Sequence, residues 1–469
     1  MIEFVNRFDE MKLLEEEYSK NTASFTVIYG RRRVGKTSLT SEFLKGKPYA
    51  VYYMATREGE TINKDNFKKQ IAAFIDNPLL EQADVEWLDI FKQLVDFKPR
   101  ARKIIVIDEF QYIGMSNPAF PSVFQKAWDT LLSKHNVMLI ICGSLLNMME
   151  SQVLSYNSPL YGRRTSQIKL KQIDFRFYRA FFPTMPFADM VMFYSVTGGV
   201  PKYIETVMGS KNIYKAIENK VLSKQSYLYE EPHFLLSQEV KETGSYFSIL
   251  RVIALGNRKL GNIAAAIGKS PTDLTKPLGT LIDLDLVERE VPITEAAPNK
   301  SKKGLYKIKD NFISFWFKYV YVHLASLERG ETGYVMEQIK KSFIDNHVSF
   351  VYEDVAREKM WELNSQDTWD FRFNKLGRYW DSSIEVDIVA IDSVSKNIIM
   401  GECKFSINKK GHGVLNDLKK KEQTILREVP KGKIVSYVIF SRAGFTNELM
   451  QLAKADKSIV LVSSQGIAD

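Results

Sequence analysis

The stretch Gly30-Arg31-Arg32-Arg33-Val34-Gly35-Lys36-Thr37 carries the most specific chemistry in the chain. It follows an apolar β-forming run, Phe25 to Tyr29, and precedes SLTSEFL, which has helical spacing. A glycine, four residues, then Gly-Lys-Thr between a strand and a helix is the pattern of a phosphate cradle. About 0.02 chance matches are expected in a chain of this length at average residue usage. The two glycines let backbone N–H groups turn inward around phosphate, and the helix adds the positive end of its dipole. Lys36 is expected on the β- and γ-phosphates and Thr37 on Mg²⁺. Val34 and Ser38 complete the stretch expected to touch nucleotide. Arg31, Arg32 and Arg33 are more basic than phosphate requires, and read either as a solvated loop face or as a contact for a partner.

A Mg-nucleotide site also needs a carboxylate from a neighbouring strand. Lys103-Ile-Ile-Val-Ile-Asp108-Glu109 supplies four apolar β-formers and then two acids. Asp108 is expected to hold Mg²⁺ through water, and Glu109 to orient or activate the attacking water. A third apolar strand, Val137 to Cys142, ends at Gly143-Ser144, where Ser144 could sense the γ-phosphate or the water.

A second set of acids lies near the C-terminus. Ile384-Glu385-Val386-Asp387-Ile388-Val389-Ala390-Ile391 and Ile398-Ile399-Met400-Gly401-Glu402-Cys403-Lys404 read as a hairpin. With Ile391 opposite Ile398, Asp387 falls opposite Glu402, about 5 Å away between β-carbons, and Lys404 shares their face. Two opposed carboxylates repel, and a divalent metal, Mg²⁺ or Mn²⁺, would relieve the repulsion and polarise a phosphodiester. Glu353, on a preceding helix, is a candidate third ligand. The residues alone leave three readings: a metal-dependent nuclease site, a nuclease-derived binding domain, or an unrelated hairpin with surface charges.

Elements must position these groups. Alternating strands and amphipathic helices in the first part predict an α/β domain with a parallel sheet covered on both faces and a ligand at the strands' carboxyl ends. Phe67, Ile71, Phe74 and Ile75 line one covering helix, and Phe124, Trp128, Leu131 and Leu132 another. From about Ser245 to Lys309 the pattern changes. One short helix is marked by Ile249, Ile253 and Leu255, and a second spans Leu260 to Ile267. A third is capped by Ser270-Pro271 and lined by Leu274, Leu278, Leu281 and Ile282. The strands Val287–Ile293 and Gly304–Ile308 follow. These predict a winged helix-turn-helix. The third helix offers only Lys276 among the side chains that usually read base edges, so Lys300, Lys302, Lys303, Lys307 and Lys309 are the candidate phosphate contacts. The segment is equally readable as a packing module. Further on, a helix from Ser342 to Leu363 is expected to bury Phe343, His347, Phe350, Val351 and Val355.

Composition sets outer limits. The chain has 469 residues and net charge +9, with 45% hydrophobic and 26% charged residues, an ordinary globular mixture that excludes disordered and collagen-like classes. The segment 241–330, with 14 basic against 9 acidic residues, is the densest source of positive charge, which permits nucleic-acid binding without requiring it. Two distant cysteines, Cys142 and Cys403, offer no disulfide framework and fit a reducing interior. The N-terminal stretch is acidic and amphipathic, and no apolar run approaches the ~20 residues of a membrane span. A cytoplasmic protein without membrane partner is expected.

Phe4-Val5-Asn6-Arg7, the phosphate-loop stretch, Val106-Ile107-Asp108-Glu109-Phe110-Gln111 and Ile140-Ile141-Cys142-Gly143-Ser144 together resemble the archaeal-type ATPases, relatives of the STAND and AAA+ NTPases. Tyr161-Gly162-Arg163-Arg164-Thr165 is similar to that family's arginine segment, which implies that Arg163 or Arg164 contacts the γ-phosphate in cis or in trans. Gly198-Gly199-Val200-Pro201 is similar to its Gly-x-Pro element, which implies Pro201 near the base, with Asn6 and Arg7 beside the adenine. Asp387 with Glu402-Cys403-Lys404 resembles the PD-(D/E)xK nuclease pattern, departing from it at Trp380-Asp381-Ser382-Ser383, which lacks the proline before the first acid.

The resemblance implies an ATPase core over 1–170, a helical lid over 171–240, a winged helix over 241–330 and a restriction-endonuclease-like α/β domain over 331–469. The implied ligands are ATP and Mg²⁺, with DNA as a partner and a nucleotide-dependent homo-oligomer as a possible assembly. The function that follows is an ATP-dependent switch acting on DNA. The alternative is a STAND-like signalling or assembly ATPase whose C-terminal domain binds a partner without cleavage.

Overall fold

Five short parallel strands organise the first part of the chain in the computed structural model, which describes residues 4–464 and 466–467. They are β1 (Ser24–Tyr29), β2 (Ala50–Met54), β3 (Lys103–Asp108), β4 (Val137–Gly143) and β5 (Ser166–Lys169), in the order β2-β3-β4-β1-β5. Alternate side chains face opposite layers, as the pleat dictates. Ile28, Ile104, Val106, Met138 and Ile140 pack with Val34, Leu39 and Phe43 on one face. Phe25, Val27, Ile105, Ile107 and Leu139 pack with Phe67, Ile71, Trp87 and Phe124 on the other. Burying each of the larger of these side chains contributes about 2–3 kcal/mol. Three strands carry the apolar runs seen in the sequence. Two do not announce themselves: β2 is a five-residue edge strand, and in β5 only Ile168 is buried.

The chain divides into two compact units. The first runs to Ile173 and takes in Val200–Lys202 and Leu235–Lys241; the second comprises Asp174–Gly199, Tyr203–Phe234 and everything from Glu242 onward.

In the second unit, helices Gly244–Ala254, Leu260–Ile267 and Pro271–Asp283 lead into an antiparallel pair, β6 (Val287–Glu290) and β7 (Leu305–Ile308). Ser270 and Asp273 form a reciprocal capping box, with Pro271 at the first helical position. Leu274, Leu278 and Leu281 are buried, but Leu255 and Ile282 are exposed, contrary to the expectation. Leu255 falls just past the end of its helix, and Leu284 and Leu286, beyond the third helix, are buried.

The last part forms a six-stranded sheet, β13-β12-β11-β10-β9-β8. Its members are β8 (Lys375–Trp380), β9 (Glu385–Ile391), β10 (Asn397–Lys404), β11 (Lys433–Ser441), β12 (Ile459–Ser463) and β13 (Gly466–Ile467). β9 runs antiparallel to both of its neighbours, β8 and β10, whereas β11 runs parallel to β10 and β12 parallel to β11. The helix Ser349–Ser365 packs on β10. It continues the helix Thr332–Phe343 through a wider π turn, Ile344–Val348. Phe343, His347, Val351 and Val355 are buried as expected, but Phe350 is 46% exposed. The wide turn rotates the helix face and moves the seventh residue after Phe343 out of the buried line.

Candidate functional site

The carboxyl ends of β1, β3 and β4 bring the first site together. Gly30 leaves β1 with φ +155°, and a Cβ there would lie 2.4 Å from the Leu170 carbonyl oxygen, so a side chain is excluded. Arg33 and Gly35 also have positive φ, which coils the loop. The helix Lys36–Leu44 starts directly from it, with Thr37 and Ser38 on its open side. Lys36 is buried, and its Nζ donates to the Gly30 and Arg31 carbonyls, each at 2.9 Å. Burial lowers its pKa, and the charges of Glu109 and Asp108 oppose the shift.

Asp108 closes the site from β3. Its Oδ2 accepts the Thr37 hydroxyl at 3.0 Å and the Tyr52 hydroxyl, and its Oδ1 accepts the Glu109 N–H at 2.8 Å. Glu109 sits at φ +53°, a strained position for a non-glycine residue, where the strand turns into the next segment. Its carboxylate accepts the Ser144 hydroxyl at 2.7 and 3.1 Å and the Gln111 amide. Ser144, at the end of β4, therefore touches the second acid directly. Tyr52 and Gln111 were not legible as site residues. Tyr52 lies on the edge strand that the sequence pattern does not reveal, and Gln111 opens the short helix, Gln111–Ser116, that follows the acids.

The flanking residues fall into two groups. Arg7 is buried, and its guanidinium donates to the Val34 carbonyl at 3.0 Å and the Lys171 carbonyl at 2.6 Å, so the N-terminal segment is fastened to the phosphate loop. Asn6 and Arg7 both have positive φ. The Pro201 ring lies 3.9 Å from where a Gly35 Cβ would be. Arg32 donates to the Tyr112 hydroxyl. Arg31 is buried in the loop. By contrast, Arg163 is held in a surface ion pair with Asp129 at 3.0 Å. Arg164 stacks over the Tyr161 ring and donates to the Leu154 carbonyl at 3.4 Å. Burial raises the pKa of the Tyr29 phenol at the end of β1, Glu150 adds to that shift, and the charge of Arg164 opposes it.

The second cluster lies on β9 and β10. Ile398 pairs with Ile391 and Gly401 with Ile388, the expected register, and the next step sets Asp387 opposite Glu402. Asp387 Oδ2 accepts the Cys403 N–H at 2.9 Å. Glu402 is held by Lys404 at 2.7 Å and Lys421 at 3.2 Å. Glu353 lies 3.8 Å from Arg357 and 3.6 Å from Arg378. Burial and then the Asp387 charge raise the Glu353 pKa; burial and then the Glu402 charge raise that of Asp387. The three acids thus feel one another, yet among the described residues no three His, Cys, Asp or Glu side chains gather closely enough to hold a metal ion. Asp387 and Glu402 each accept a hydrogen bond from a protein donor, and Glu353 faces the charges of Arg357 and Arg378.

The lysines in and beside β7 are likewise engaged. Lys307 bonds Asp354 at 2.6 and 2.7 Å, Lys309 bonds Asp285 at 2.6 Å, and Lys303 pairs with Glu295 at 2.9 Å. Lys300 and Lys302 are exposed.

Comparison with known proteins follows this division. A family described as an ATPase domain predominantly from Archaea matches residues 4–207. Protein MJECL04 of Methanocaldococcus jannaschii is 38% identical over 402 residues, which cover 86% of this chain and 87% of that one. The chain belongs to this archaeal ATPase family. The ATP-binding protein MJ0423 from the same organism is 47% identical over 47 residues, 10% of this chain and 80% of its own. The ATPase fold also matches the Walker-type ATPase PABY2304 of Pyrococcus abyssi, with a TM-score of 0.51 at 19% identity, covering 67% of this chain and 96% of that one. A second family, archaeal and bacterial proteins of unknown function, matches residues 316–416 and so includes Asp387, Glu402 and Lys404. No helix among the described residues is long and apolar enough to cross a membrane.

Proposed function

We propose that this member of the ATPase family is a switch that binds Mg-ATP and hydrolyses it. The observation that carries the reading is the convergence of the Thr37 hydroxyl on Asp108 at 3.0 Å beside the buried Lys36 amine. A hydroxyl and a carboxylate side by side at the mouth of an N–H cradle are the oxygen donors that Mg²⁺ takes, so the residues fit the ion. Thr37 would hold it directly and Asp108 through water. When bound, the ion neutralises charge building on the β- and γ-phosphates.

The chain's own groups do the rest. Lys36 exchanges two carbonyl partners for phosphate oxygens, and the N–H groups of the loop with Ser38 surround the phosphates. Glu109 accepts a hydrogen bond from the attacking water, and Ser144 and Gln111 hold its carboxylate in place. Asn6, Arg7 and Pro201 are assigned to the base side. Arg164 is the better candidate of the arginine pair for the γ-phosphate, because Arg163 is committed to Asp129. Glu109→Gln should bind ATP normally and lose hydrolysis. Unchanged turnover would remove Glu109 from this role.

For the remainder we propose a helical lid over 171–240, a winged helix over 241–330 and a restriction-endonuclease-like domain over 331–469, acting on DNA. A helix, three antiparallel strands, a helical connection and a strand parallel to the third support a nuclease-derived core, with Asp387, Glu402 and Lys404 on its hairpin. Plasmid incubated with Mg²⁺ or Mn²⁺ and ATP tests it: Asp387→Ala should abolish any cleavage seen with the parent, and equal cleavage would remove the site.

The reading of a partner-binding assembly switch without cleavage is favoured by one observation. Lys404 and Lys421 both hold Glu402, and three of the five wing lysines are paired internally. An ATP-dependent change in mass without cleavage would select it.

A further inference from the structure

Tyr52 stands at the nucleotide site without a part in the reading above. It lies on β2, two residues before Met54, whose Cα pairs with that of Asp108. Its ring packs on the same sheet face as Ile104, Val106 and the helix that begins at Lys36. Its hydroxyl donates to Asp108 Oδ2, the oxygen that also accepts Thr37. A carboxylate offers about four lone-pair positions. The two hydroxyls fill both positions of Oδ2, and the Glu109 N–H fills one of Oδ1. Among the described residues, a single position, on Oδ1, stays open. Without the phenol, the carboxylate keeps one backbone bond and one bond to an exposed threonine, and the soft torsion of an Asp carboxylate lets it turn.

We infer that Tyr52 is a positioning residue for the metal, fixing the Asp108 carboxylate so that its one open lone pair meets water bound to the nucleotide's Mg²⁺. The inference rests on the Mg-ATP reading and extends it to a strand that the phosphate-site motifs do not contain. Groups that orient a metal site from behind its ligands change metal affinity by about 10- to 100-fold. Tyr52→Phe removes the hydroxyl and keeps the ring in its packing.

The test is a titration of the full chain with a fluorescent ATP analogue, with Mg²⁺ and with EDTA, in the parent, Tyr52→Phe, Asp108→Ala and the double variant. The expected result has three parts. The affinity of Tyr52→Phe in EDTA equals that of the parent. Its gain in affinity from Mg²⁺ falls about tenfold. Tyr52→Phe changes nothing further once Asp108 is alanine, the signature of action through that residue.

An equal Mg²⁺ gain in parent and Tyr52→Phe overturns the inference, as does an undiminished effect in the Asp108→Ala background. A parent that binds the analogue with no gain from Mg²⁺ also overturns it while leaving nucleotide binding intact. A parent that binds no nucleotide in either condition removes the reading beneath it.

Discussion

Ser144 donates its hydroxyl to both carboxylate oxygens of Glu109, at 2.7 and 3.1 Å, across the ends of two neighbouring strands. Glu109 is held at a positive φ, and its carboxylate accepts from the side chains of Ser144 and Gln111. Removing one donor leaves the acid freer to turn away from an attacking water. Ser144→Ala should therefore lower kcat by about 10- to 100-fold with ATP affinity within about twofold. Steady-state hydrolysis beside a binding titration checks it, and a change confined to affinity would contradict it.

The second unit is pinned by charge. Lys307 on β7 bonds Asp354, which also bonds Arg357, and the Arg357 guanidinium donates to the Asp387 carbonyl at 3.0 Å. Burial alone would raise the Asp354 pKa, but Lys307 and Arg357 outweigh it and hold the carboxyl well below its usual range. A depressed carboxyl stabilises the fold above its unfolded value, about 3.9, and loses that contribution as pH falls through the lower folded value. Lys307→Ala should cost about 1–3 kcal/mol at neutral pH, since the pair is only partly screened, and should flatten the loss of stability below about pH 4. Urea unfolding at neutral and acid pH measures both.

His347 gives a second pH signature. Its Nε2–H donates to the Ser195 carbonyl at 2.7 Å. Burial is the main cause of its lowered pKa, about 4, with Lys318 adding to it and the backbone bond opposing. A buried neutral imidazole favours the fold fully above its unfolded pKa, about 6.5, and that contribution drains away as pH falls towards the folded value. Stability should drop by a few kcal/mol between about pH 6.5 and 4, and His347→Gln should remove most of that slope even if it lowers the plateau. A slope that survives the substitution would contradict this origin.

The sequence makes the centre of the first site legible because phosphate chemistry fixes residue types at fixed spacing. Lys36, Thr37, Asp108, Glu109 and Ser144 all meet where strand ends predict. The hairpin register is legible for a similar reason, since period-two burial leaves one alignment of Ile391 and Ile398. Tyr52 was hidden because β2 alternates too briefly to declare itself. Phe350 was misplaced because a π turn, which has no composition signature, shifts the phase of its helix. Lys303, Lys307 and Lys309 are candidate phosphate contacts in the sequence, and nothing in a linear pattern reveals that Glu295, Asp354 and Asp285 fold back onto them.

One triphosphate is expected to lie between the loop at Gly30–Thr37 and the acids at the end of β3. Equilibrium titration of ATP in Mg²⁺ against the parent chain and Lys36→Ala measures whether it does. Saturable binding by the parent, weakened about 100-fold or more in Lys36→Ala, is the predicted result. Equal affinity in the two proteins would contradict it.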